Sequence, residues 1–109
     1  LTNYTFKFTR VCMCDHLILN GTVTVKNGQV VAVADVNDRG LPIANPDLSE
    51  FKSIEELFEF IRTEQPKAEV TKVSFDEGLY FPARIDVDYI THAADDEISY
   101  LVSDVKALP

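Results

Sequence analysis

Residues 21–36 read "GTVTVKNGQVVAVADV", and the fold turns on this stretch. Two runs rich in β-branched residues flank Asn27-Gly28. That pair is favoured in a two-residue type I′ turn, where both central positions need φ > 0. The pattern predicts strands at about 21–26 and 29–36, paired antiparallel. Upstream, in "YTFKFTRV", Tyr4, Phe6 and Phe8 alternate with Thr5, Lys7 and Thr9. A period of two marks a strand buried on one side.

Downstream, "NDRGLPIANPDLSEFK" (37–52) carries Gly40, Pro42 and Pro46 among polar residues and reads as a loop or irregular crossover. The segment "SIEELFEFIRTEQP" predicts one helix. Ser53 and Glu56 form a capping box, acidic residues crowd the first turn, and Pro66 ends it. Ile54, Leu57, Phe58 and Ile61 fall at i, i+3, i+4 and i+7, a single apolar stripe. Strands return in "EVTKVSFD", "ARIDVDY" and "EISYLVSDV". Each puts one set on a single side: Thr71, Val73 and Phe75; Ile85, Val87 and Tyr89; and Ile98, Tyr100 and Val102. The expectation is an α+β fold: an antiparallel sheet of about six strands with one helix packed on one face, in the order β-β-β-α-β-β-β. Residues 1–109 form a single domain in this reading, without a residue-level repeat.

Composition narrows the class. Hydrophobic residues make up 46% of the 109, enough for a packed core, and five prolines and four glycines do not make a linker. No apolar run approaches the roughly 20 residues that cross a bilayer. The net charge of −8, from 18 acidic and 10 basic residues, argues against binding nucleic acid or docking on an anionic membrane. The chain begins at Leu1, as a mature form after signal removal or a fragment cut at a domain edge would.

"RVCMCDH" (10–16) leaves four readings open. Two residues along a strand span about 6.6–6.8 Å, and bridged cysteines need Cα atoms about 4.4–6.8 Å apart. A Cys12–Cys14 disulfide is therefore admissible only at the limit, with a bend. A metal site of Cys12, Cys14 and His16 lacks a fourth ligand, since nothing places His92 nearby. Redox chemistry usually employs C-x-x-C at a helix start. Two reduced, buried cysteines complete the set.

"DVDYITHAADDE" supplies Asp86, Asp88, Asp95, Asp96 and Glu97, a candidate cation site if the loop converges, although its spacing is not that of an EF-hand. The plainer alternative is a solvated acidic face with Arg84 as counter-ion. Asn3 and Asn20 begin glycosylation sequons of the kind that arise by chance, and neither a G-x-S-x-G elbow nor a phosphate-binding glycine loop occurs.

Taken in order, "YTFKFTRVCMC", "VTVKNGQVVAV", "SIEELFEFI", "FPARIDVDY" and "DDEISYLV" resemble a family of small exported bacterial proteins. Many of its members are lipoproteins, and the family is catalogued only as a domain of unknown function. Cys-x-Cys after an aromatic first strand is its most specific element. The chain departs from the pattern at Tyr80-Phe81, where a glycine near Pro82 is expected. The resemblance implies an extracytoplasmic location (periplasm, cell surface or secreted), a lipid anchor upstream of Leu1 in some members, and a formed Cys12–Cys14 bridge. It implies no activity and no cofactor. The resulting expectation is a non-catalytic domain that binds another protein or an envelope component, with Tyr80 and Phe81 as the candidate exposed patch. The alternative is a metal-binding protein using Cys12, Cys14 and His16 or the acidic loop around Asp95.

Overall fold

A computed structural model describes residues 2–12, 18–38, 41–42, 47–89 and 97–108. Strands β1 (Tyr4–Cys12), β2 (Ile18–Lys26), β3 (Gln29–Asp38) and β4 (Leu41–Pro42) come first in the chain. Helix α1 (Ile54–Glu64) follows, then β5 (Val70–Phe75), β6 (Pro82–Asp88) and β7 (Glu97–Ala107). Short 3₁₀ turns at Leu48–Glu50 and Gln65–Lys67 bracket the helix.

All seven strands form one antiparallel sheet with lateral order β4-β3-β2-β1-β7-β6-β5. The Asn27-Gly28 turn has φ of 54° and 78°, and Lys26 pairs with Gln29 across it. The first and last strands meet in the centre, with Tyr4 opposite Ala107 and Cys12 opposite Ile98.

This arrangement corrects the expected six-strand order β-β-β-α-β-β-β with a helix packed across the sheet. Leu41–Pro42 adds a seventh strand, pairing with Asn37 and Asp38. The helix is also too short to cover the sheet. Seven strands put the outer two about 29 Å apart at about 4.8 Å per step, whereas an 11-residue helix is about 16 Å long.

The cover is therefore shared. Over β1 to β3 it is the stretch around Phe51, which is buried with its ring 5.3 Å from that of Phe8. Gly21 makes room there: a Cβ would lie 2.7 Å from Val33 Cγ1 and 3.1 Å from Phe51 Cε1. The helix begins over β1, where the backbone amide of Ile54 donates to the Tyr4 hydroxyl at 2.8 Å. It then passes Tyr100 of β7, whose ring meets that of Phe60 at 5.0 Å. At its end Glu64 accepts from the Tyr89 hydroxyl at 2.5 Å, just beyond β6.

The capping box is complete: Ser53 Oγ accepts from the Glu56 amide at 3.1 Å, and Glu56 Oε1 accepts from the Ser53 amide at 3.0 Å. The apolar stripe, however, is rotated from its expected setting. Leu57 is fully buried, with Ile54, Phe60 and Ile61 partly so, while Phe58 is 43% exposed. Phe58 stacks instead on Phe75 at 6.1 Å, at the sheet's edge.

One face of the sheet thus holds the core: Tyr4, Phe6, Phe8, Leu19, Val23, Val25, Ile85, Val87, Tyr100 and Val102. Removing this apolar area from water is the main stabilising term. The other face carries Thr5, Lys7 and Thr9 of β1 and Thr22 and Thr24 of β2, as one-sided alternation requires.

Candidate functional site

Val11, Val31, Leu48, Val70 and Leu101 are exposed singly, whereas four other large apolar side chains cluster. Phe58, Phe75, Leu79 and Tyr80 gather where the first half of α1 overhangs the β5–β6 turn, and the last three are 50%, 57% and 73% exposed. Between helix and turn lies an open groove of about 200 Å³, lined by Tyr4, Ile54, Glu55, Phe58, Leu79, Tyr80, Phe81 and Val105.

Local chemistry presets this shape. The Asp76 carboxylate accepts from the Gly78 amide at 3.0 Å and the Leu79 amide at 2.8 Å, an Asx-type turn. The Tyr80 amide donates to the Asp76 carbonyl, and the Asp76 amide donates to the Phe81 carbonyl, both at 2.9 Å. These bonds close the loop with Tyr80 at φ 56°. That left-handed conformation suits glycine and costs an ordinary side chain roughly 1–2 kcal/mol. A bulky aromatic held there, and held in solvent, is an outlier of the kind that clusters at ligand clamps.

The groove floor is polar at one point. The Tyr4 hydroxyl accepts from the Ile54 amide, satisfying a helix-start donor, and donates to Glu55 Oε2 at 2.8 Å. Burial first, and then the Glu55 carboxylate, push the Tyr4 phenol well above its ordinary value, so it stays protonated and holds Glu55 at the lip. Glu55 lines the groove, and Asp76 and Glu77 open the turn that carries Leu79 and Tyr80.

The expected patch pairs Tyr80 with Phe81. Tyr80 stands in solvent, but Phe81 is only 8% exposed and belongs to the core cluster. Both residues lie in the turn before β6, and the bonds that hold Tyr80 at φ 56° send its ring outward and that of Phe81 inward. Leu79, Phe58 and Phe75 lie outside that expected pair. The run "GLYF" signals Leu79, whereas periodicity places Phe58 in the helix's apolar stripe and Phe75 on one side with Thr71 and Val73.

The acidic candidates divide differently. Asp88 and Glu97 sit opposite one another across β6 and β7, beside Asp86 opposite Ser99. Asp86 is already engaged: Arg84 Nε donates at 2.8 Å and Ser99 Oγ at 2.6 Å. Burial raises its carboxyl, but these bonds and the nearby cations outweigh that and hold it below the usual range. Asp95 and Asp96 lie outside the described residues, as do Cys14, His16 and His92. Among the described residues, no group of three or more His, Cys, Asp or Glu is placed to hold a metal ion. Cys12 ends β1 with its side chain buried, and no described cysteine is free. No helix among the described residues is long and apolar enough to cross a membrane.

Compared with known proteins, residues 1–107 match the model of a family of unknown function, DUF6174. No curated protein and no solved structure matches the chain.

Proposed function

The chain belongs to the DUF6174 family, and because that membership assigns no activity, we propose from the groove's geometry that this is a non-catalytic binding domain. Its ligand is a protein or an envelope component seated between α1 and the β5–β6 turn. The observation that carries the reading is Tyr80, a strained aromatic presented to solvent beside exposed Leu79 and Phe58. Large aromatics at the centre of an apolar patch with a polar rim are the residues that dominate binding energy at interfaces.

The same proposal places the protein outside the cytoplasm, anchored upstream of Leu1 or secreted, with Cys12 and Cys14 bridged. Its support is the family resemblance carried by the Cys-x-Cys after the aromatic first strand. An oxidising compartment is where such a bridge persists. Intact mass with and without alkylation tests that part: a chain two hydrogens light that refuses the reagent supports it, and two reactive thiols overturn it.

The binding reading is tested by titrating the isotope-labelled chain with cationic peptides, acidic peptides, cell-wall glycan fragments and anionic lipid vesicles, followed by amide NMR. Shifts concentrated at Phe58, Leu79 and Tyr80 with any of these ligands support the groove. Shifts centred elsewhere, or none with every class, overturn it.

A further inference from the structure

We propose that β5 is an acceptor edge, where an extended basic segment of a partner protein adds to the sheet as a further strand alongside the Phe58–Phe75 step. The inference rests on the groove reading above and names its ligand class.

The two edges of the sheet are built differently. One is β4, two residues long and containing Pro42, which are both devices that blunt an edge against strand addition. The other is β5, six residues without proline and, among the described residues, paired only with β6. Its one charged residue, Lys72, sits opposite Asp86, whose carboxylate feels its charge. This strand carries Lys72 and a bulge between Ser74 and Phe75, but its proline-free run from Val70 to Ser74 leaves an edge long enough to template backbone pairing with another chain.

What lies beside that edge sets the partner's chemistry. On the core side of β5, Phe75 is half exposed and stacks on Phe58 of the overhanging helix. Leu79 and Tyr80 continue the apolar surface beyond the end of β5. Glu55 lies one turn from Phe58 along the helix, and Asp76 and Glu77 follow directly after β5. A strand added here sets every second side chain on this apolar step, close to the carboxylates. Alternating aliphatic and Lys or Arg residues complement it. A second copy of this chain is a poor occupant, because each copy carries a net charge of −8.

The test uses a ten-residue peptide alternating valine and lysine, its glutamate-for-lysine counterpart, and a version N-methylated at alternate amides. The last keeps side chains and charge but cannot pair as a strand. The expected result is binding of the lysine peptide that weakens with added salt. Alternate amides within Val70–Phe75 become protected from exchange, and the N-methylated version binds at least tenfold more weakly. Phe58→Ala, at a side chain a little over half buried against Phe75, lowers the thermal midpoint and weakens binding measured well below that midpoint.

Equal binding of the N-methylated peptide, with shifts at Leu79 and Tyr80 but no β5 protection, overturns strand addition while leaving the groove reading intact. Equal binding of the glutamate peptide overturns the charge argument. Protection of β5 by self-association without peptide makes a second copy the occupant and overturns the proposal. Absence of binding by all three peptides does so as well.

Discussion

Replacing Tyr80 by glycine and, separately, by alanine isolates the cost of its backbone conformation. Tyr80 has φ 56° and is 73% exposed. About a quarter of a residue that covers roughly 200 Å² is therefore buried, worth about 1 kcal/mol at 25 cal/mol per Å². Both substitutions lose that contact almost equally, so it cancels in their comparison. Alanine keeps the left-handed penalty of roughly 1–2 kcal/mol. Glycine escapes it but returns about 0.5–1 kcal/mol as extra entropy of the unfolded chain. The net expectation is Tyr80→Gly more stable than Tyr80→Ala by about 1 kcal/mol, or about 4 °C in Tm for a chain of this size. Urea and thermal denaturation of the two proteins measure it directly. If the alanine variant equals or exceeds the glycine variant, strain at this position is not real and the turn is relaxed with a side chain present. Both variants are expected to lose groove binding, so the glycine variant also separates loss of binding from loss of fold.

Gly21→Ala drives a methyl into Val33 and Phe51 and is expected to cost about 1–3 kcal/mol by overpacking. Adding Val33→Ala should recover part of that loss in thermal denaturation. Leu57→Ala is expected to lower stability by about 2–5 kcal/mol, since this side chain is the only fully buried one on the helix; a loss below 1 kcal/mol in urea titration would mean that the helix does not anchor the fold. Stability should also fall on both sides of neutrality. The hydrogen bond from Tyr89, and then Lys67, holds the Glu64 carboxyl below its ordinary 4.5. Its contribution is present above that value and lost as pH drops through the lower folded value. Burial first, then Glu64, pushes the Tyr89 phenol from 10.0 up to about 12. That contribution is present below pH 10 and lost as pH rises toward 12. Tyr89→Phe should flatten both limbs of a stability–pH curve; an unchanged curve would remove this pair from the account.

The sequence alone determined what depends on neighbours along the chain. Asn27-Gly28 makes its turn because φ > 0 is demanded of two consecutive residues. Ser53 and Glu56 cap the helix because they lie three positions apart. The alternation of Tyr4, Phe6 and Phe8 declares a buried face whatever covers it. Tertiary structure decided what depends on partners far along the chain. The central pairing of β1 with β7, and the seventh strand at Leu41–Pro42, have no local signature. The division of the cover between Phe51 and the helix follows from a length, about 16 Å of helix against about 29 Å of sheet. Phe58 fits the core stripe by spacing, yet it stays 43% exposed because the helix is set with Leu57 toward the core, and Phe58 meets Phe75 of β5 instead. Tyr80 and Phe81 are adjacent and similar, and one is in solvent while the other is in the core. Only the Asp76-bonded turn between β5 and β6 separates them, by setting Tyr80 in the left-handed conformation and turning Phe81 inward.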